Sequence, residues 1–260
     1  MTFALRIASA TLLARRSRHR YGDHPRQVAD LHRPAGPGPH PVAVVVHGGT
    51  WQPPYTRLIM RPLCRDLVGR GCAAWNVGYR RLGIDGGGWP ETFDDVAAAI
   101  DHLAELADGG LDLGRVTLIG HSAGGQLALW AAGRDELPPG APGARPRVPA
   151  QRVLGLAPVC DMSRVGDAAR DLLGGGARDV PDRYAQADPM LRLPLAVPVG
   201  IVHPRDDRTV SVQGSRDYAA AARAAGGDVT LVEPAGGHVD PIDPRTAAWR
   251  AAVAWLTGQR

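Results

Sequence analysis

Four stretches of the chain are apolar at consecutive rather than alternate positions: "VAVVV" (42–46), "VTLIG" (116–120), "VLGLAPV" (153–159) and "VPVGIV" (197–202). A strand with one wet face alternates apolar and polar residues, so unbroken runs mark strands covered on both faces, the habit of parallel sheets. "CAAWNV" (72–77) and "VTLVE" (229–233) are weaker members of the set, and "RQVADLHRP", ending before residue 35, reads as an edge strand. Helical spacing fills the intervals. In "PETFDDVAAAIDHLAELADGG", Phe93, Val96, Ala97, Ile100, Leu103 and Ala104 fall on one helix face, with Pro90 near the start and Gly109 as the stop. "SVQGSRDYAAAARAAGG" and "PRTAAWRAAVAWLTG" repeat the pattern. Strand then helix, repeated, predicts an α/β fold: a doubly wound, mostly parallel sheet with helices on both faces.

Three segments depart from this rhythm. Residues 133–151, "GRDELPPGAPGARPRVPAQ", are dense in Pro, Gly and Arg and predict a long mobile loop, a surface insertion in preference to a small lid. Residues 161–193 are irregular and lie where such folds build the wall of a pocket. The first 20 residues, "MTFALRIASATLLARRSRHR", place apolar residues before positive charge, the reverse of a secretory signal, and predict a short amphipathic surface helix.

Composition narrows the function classes. At 260 residues, 44% apolar and 22% charged, the chain suits one large soluble α/β domain over 1–260. It contains no run near the ~18 apolar residues that a membrane helix needs. The net charge is only +4 and the cations are scattered, so neither nucleic acid nor a membrane is expected as a partner. All 30 basic residues are Arg. That excludes a lysine Schiff base and a Walker-type phosphate lysine, so "GIDGGGWPE" (83–91) is read as a turn near the pocket, with Trp89 in an acyl site or in the core. Cys64, Cys72 and Cys160 form no C-x-x-C pair, which suggests no zinc site and no disulfide framework and fits a reducing cytoplasm. No cofactor or metal is expected; a small acyl compound is the expected partner, and a homodimer is left open.

The chemistry sits where strands end. "LIGHSAGGQLALWAA" contains Gly120-His121-Ser122-Ala123-Gly124, a G-x-S-x-G between a strand and a helix. This is the context of a nucleophile elbow, where Gly120 and Gly124 permit a turn too tight for side chains and Ser122 is exposed on its corner. Gly125 lets the helix pack closely. A serine hydroxyl needs a base, and the base an acid. Beyond the elbow, "HPRDDRTV" follows one strand and "PAGGHVD" the next, in the order acid then base. His238 is the expected base, ahead of His47, His121 and His203. Asp207 and Asp206 compete as the acid, with Asp161 a more distant candidate for wall or turn chemistry.

These motifs together resemble the α/β-hydrolase superfamily over residues ~20 to 258. "HGGTW" (47–51) is similar to the HGGxW motif of kynurenine formamidase-like enzymes and related small esterases, including those grouped with feruloyl esterases. "YGDHPRQVADLHRP" and "NVGYRRL" resemble further segments of the same enzymes, whereas "HPRDD" departs from their more usual His-Gly start. The resemblance implies an acid followed by two residues and Val, which favours Asp207 with Val210. It also implies that His47, Gly48 and Trp51 support a loop whose Gly49 and Thr50 amides join that of Ala123 in an oxyanion hole.

The expected activity is a serine hydrolase that cleaves carboxylic esters, with aryl formamides or amides second. An acyltransferase or cyclase using the same triad, a prolyl-oligopeptidase-like peptidase and a non-catalytic binding protein are the alternatives.

Overall fold

A computed structural model describes residues 15–107 and 109–258. Its eight strands are β1 (Arg15–Arg20), β2 (Val28–Arg33), β3 (His40–Val46), β4 (Ala73–Val77), β5 (Leu111–His121), β6 (Arg152–Leu156), β7 (Val199–Val202) and β8 (Val229–Val232). They form one sheet in the order β1-β2-β4-β3-β5-β6-β7-β8. β1 and β2 run antiparallel to their neighbours, and the other strands are mutually parallel.

The unbroken apolar runs have the cause expected of them. Along β3, Val42, Val44 and Val46 enter one core, and Ala43 and Val45 enter the other. The first core is roofed by helices α2 (Glu91–Asp101), α3 (Ala123–Ala132) and α6 (Val212–Ala224). The second lies under α1 (Arg61–Gly69) and α7 (Ala247–Thr257). Every residue of α3 is buried, so this helix has no polar face to betray its orientation. Among the described residues, no helix is long and apolar enough to cross a membrane, and all three cysteines are free.

Three expectations need correction. Residues 15–20, expected to be helical, form the edge strand β1; the rest of the predicted N-terminal helix lies outside the described residues. The sequence "RRSRHR" has no apolar residue, so hydrophobic periodicity cannot detect it. "RQVADLHRP" does supply a strand, but β2 is internal because β1 pairs with its outer side. Its Asp30 is fully buried and holds Arg18 at 3.0 Å and Arg57 at 3.1 Å, so a polar residue in this strand marks ion pairing, not exposure. Finally, "VLGLAPV" ends as a strand at Leu156, because Ala157 turns into the left-handed region at φ 45°.

The Pro/Gly-rich segment 133–151 is docked. Arg134 is buried, with its guanidinium 2.6 Å from Asp101 at the end of α2 and 2.6 Å from the Gly143 carbonyl. The amides of Arg147 and Val148 donate to the same Asp101. Since α3 starts at the end of β5 and runs back along the sheet, this segment begins at the far end from Ser122 and is no lid. By contrast, residues 161–193 follow β6 on the near side and fold into two short helices, α4 (Asp167–Leu173) and α5 (Pro181–Ala187).

Candidate active site

The C-terminal ends of β3, β5, β7 and β8 bring four loops together. At the end of β5 the backbone turns sharply: Ser122 has φ 55° and ψ −121°, a conformation that residues with side chains rarely adopt. Backbone crowding enforces it. A Cβ at Gly120 would strike the Gly124 carbonyl, and one at Gly124 would strike the carbonyls of His47 and Val46. At Gly125 it would lie 2.6 Å from Pro158 Cβ, beyond β6. The Ser122 amide is tied to the Leu156 carbonyl at 2.9 Å, which anchors the corner to the next strand.

The hydroxyl of Ser122 stands 2.9 Å from His238 Nε2, in the loop after β8. On the other side of that imidazole, Nδ1 is 2.6 Å from Asp207 Oδ2, in the loop after β7. The second oxygen of Asp207 accepts the amides of Thr209 at 2.8 Å and Val210 at 3.0 Å. Burial pushes this carboxyl up, but the Val210 amide, His238 and the Thr209 amide outweigh it and hold it below its ordinary value. It is an anion held by three hydrogen bonds. The arrangement can pass a proton from a hydroxyl to an imidazole while a fixed negative charge faces the imidazole's other nitrogen.

The competing acids are elsewhere. Asp206 is exposed and accepts the Gly236 amide at 3.1 Å, so it fastens the loop of Asp207 to the loop of His238. Asp161 caps the turn 162–165, accepting from Ser163 and pairing with Arg164 at 2.9 Å.

The rival histidines are close to the site but spoken for. His47 stacks on Tyr79 with ring centroids 4.3 Å apart, and burial depresses it to about 3. His121 donates from Nε2 to the His238 carbonyl at 2.9 Å, and burial depresses it to about 4. Both are neutral near pH 7. His203 is fully buried behind Asp207, with Nε2 3.2 Å from its Oδ2.

The HGGTW loop, after β3, lies against the elbow. Gly48 has no room for a side chain, because a Cβ would sit 2.7 Å from the His121 carbonyl. Gly49, Thr50 and Trp51 all have positive φ (114°, 50° and 57°), which turns the peptide planes of this loop. Trp51 is buried and donates to Gln126 Oε1 at 3.2 Å; Gln126 in turn donates to the Ala187 carbonyl at the end of α5 at 2.8 Å. The Tyr79 hydroxyl donates to the His47 carbonyl at 2.8 Å. Among the described residues, the amides of Gly49, Thr50 and Ala123, like that of Trp51, donate to no protein acceptor.

Tyr79 and Gln126 carry no signal in composition or periodicity. Tyr79 lies within "NVGYRRL", and Gln126 stands one helical turn after Ser122 on the same face of α3. Trp89 packs edge-on against Phe93 at 4.9 Å and so belongs to the core's margin.

The BD-FAE family profile matches residues 29–221, three-quarters of the chain, including the β3 loop, the elbow and the acid loop. The chain belongs to the BD-FAE family. It is therefore an esterase of the α/β-hydrolase class. His238 lies beyond the matched stretch. No curated protein matches this esterase in sequence. Among solved structures, it is similar to a truncated carbohydrate esterase from gut microbiota, with TM-score 0.81 and 19% identity over 94% of this chain and 95% of that one. It is also similar to the thermophilic esterase Est2 of the Planctomycetes species Thermogutta terrifontis with propionate bound, at TM-score 0.76 and 23% identity over 95% and 93%. The same Est2 with butyrate bound aligns equally well. A bifunctional GH43-CE protein of Bacteroides eggerthii aligns at TM-score 0.79 and 20% identity over 93% of this BD-FAE esterase, which spans 35% of that longer chain. At such identities these likenesses describe the fold.

Proposed function

We propose that this BD-FAE esterase hydrolyses small carboxylic esters of short acyl groups through an acyl-enzyme on Ser122. The observation that carries the reading is the hydrogen-bonded chain from Ser122 Oγ through His238 to Asp207, with steps of 2.9 and 2.6 Å. His238 Nε2 takes the serine proton as Oγ attacks the ester carbonyl, and Asp207 keeps the remaining N–H on Nδ1 and stabilises the imidazolium. Negative charge then builds on the former carbonyl oxygen, where the amides of Gly49, Thr50 and Ala123 have no other acceptor. His238 returns the proton to the departing alkoxide, and water, activated by the same imidazole, cleaves the acyl-enzyme.

Short acyl groups are favoured by analogy with the propionate and butyrate held by Est2. A second reading, hydrolysis of aryl formamides, rests on the HGGTW loop alone. A fluorophosphonate should label Ser122, and Ser122→Ala should abolish both labelling and turnover of p-nitrophenyl acetate, propionate and butyrate. Labelling elsewhere, or intact turnover in Ser122→Ala, overturns the mechanism. Faster turnover of N-formylkynurenine than of every ester would transfer the substrate assignment to formamides.

A further inference from the structure

Behind the proposed triad lies a second chain of polar side chains that the reaction does not use. Asp207 Oδ2 faces His238 on one side and His203 Nε2, at 3.2 Å, on the other. The same Nε2 is 3.0 Å from the Val210 carbonyl. His203 Nδ1 is 2.7 Å from the hydroxyl of Ser215, a residue of α6, and that hydroxyl is 3.6 Å from the Cys160 thiol. His203 and Ser215 are fully buried, and Cys160 nearly so.

Chemistry fixes the protons. A carbonyl and a carboxylate only accept, so Nε2 must carry the hydrogen and share it between Val210 and Asp207. Nδ1 is then the bare nitrogen, and the Ser215 hydroxyl must donate to it. The hydroxyl's lone pairs are left for the Cys160 S–H. A buried serine in the first turn of α6 is an expensive way to fill space, since alanine would serve without a polar group to satisfy.

We infer that His203 and Ser215 are positioning residues for the triad acid. Ser215 locks His203 in the Nε2–H tautomer, and His203 holds Asp207 toward His238 while drawing off part of its negative charge. The inference rests on the triad reading above. Its consequence is specific. A carboxylate with one donor fewer holds a neighbouring positive charge more strongly, so removing the His203 donor should extend the acid loss of activity toward neutrality.

The groups facing the chain from neighbouring elements keep one charge state over the range of the assay except Asp188, which acts on Cys160, is raised to about 6 by burial, and is present in the parent and in every variant. From β5, His121 is depressed to about 4 by burial. From the loop after β6, Cys160 is pushed up to about 12 by burial. From the loop after β8, Glu233 is held below its ordinary value chiefly by Arg216 of α6, and Tyr218 of α6 is pushed up by burial. Burial also depresses His203 itself, so it remains the neutral donor.

The test is kcat and kcat/KM for p-nitrophenyl butyrate across about pH 5 to 9, with thermal melting of each variant. His203→Leu should lower kcat by about 10-fold or more with KM within about twofold, and should raise the midpoint of the acid limb by roughly half a pH unit. Ser215→Ala should move both quantities in the same direction by less. His203→Gln, which can still present an N–H toward Asp207, should restore the limb. Should His203→Leu fail to fold, the limb of Ser215→Ala decides. An acid limb unmoved in every folded variant, with activity falling only in step with melting temperature, overturns the inference. The two readings fail separately: if fluorophosphonate does not label Ser122 in the parent enzyme, the triad itself falls.

Discussion

The nucleophile side and the acid side of this site are held by different physics. Around Ser122, at the ends of β3 and β5, position is set by backbone contact: Gly48, Gly120, Gly124 and Gly125 each stand where a methyl group would collide with a neighbouring chain. Around Asp207, at the ends of β7 and β8, position is set by hydrogen bonds among titratable groups: His238, His203 and two amides on one carboxylate. Crowding is insensitive to pH and intolerant of volume, whereas a polar network tolerates volume better and responds to protonation. A reaction that moves one proton gains from both: the attacking oxygen cannot drift, and the groups that receive the proton are already oriented.

The contrast can be broken most severely at the nucleophile itself. Ser122→Ala should lower kcat for p-nitrophenyl butyrate by about 10⁶-fold, leaving only what the free amides and binding supply. Asp207→Asn should cost about 10⁴-fold by favouring the wrong tautomer of His238, while Asp206→Asn, which at most weakens the clasp to Gly236, should cost less than about 10-fold. Equal and mild losses in the two would remove Asp207 from its role. Gly124→Ala tests the crowded side. The added methyl meets the carbonyls of His47 and Val46, so the HGGTW loop must shift and kcat should fall by about 10² to 10³-fold, as when oxyanion donors are displaced. Because the fault is steric, the acid limb of Gly124→Ala should coincide with that of the parent.

The smallest effect concerns stability. Asp188, just after α5, is buried with two amides as partners, and burial raises it to about 6. The folded state therefore keeps this proton up to about pH 6, while the unfolded chain releases it near 3.9. Its stabilising contribution is present below about pH 4 and is lost as pH rises through about 6. Asp188→Asn removes that term, so its melting temperature should gain on the parent's between about pH 4 and 7. A constant difference over that range would refute the assignment. His47 and His121 act in the opposite sense, since their depressed values make the fold lose stability as pH falls below about 6.5, but they are common to both proteins.

The same contrast explains what could be read in the chain. Crowding demands glycine, and glycine beside serine at the end of a valine-rich strand is visible as letters; so were the parallel sheet and the helices with a distinct apolar face. A polar network can be built by many residue types, and "HPRDD" alone does not say which aspartate turns inward or that His203 backs it. Ser215 is invisible because it sits in an ordinary helical pattern and acquires its partner only when the fold brings α6 against His203, just after β7. β1 was missed for a related reason: six polar residues become a strand only because Asp30 and the open side of β2 are there to receive them.

The clasp between Asp206 and Gly236 also sets a limit on exchange between relatives. The amide of Asp206 donates to the Gly236 carbonyl at 3.2 Å and its carboxylate accepts the Gly236 amide in return, so the segments 203–210 and 233–240 form a reciprocal pair. Neither is an independent module. Grafting one segment into another esterase would leave its half of the pair without a counterpart, whereas moving both together preserves the spacing of acid and base; the unit of recombination on this side of the enzyme is two loops.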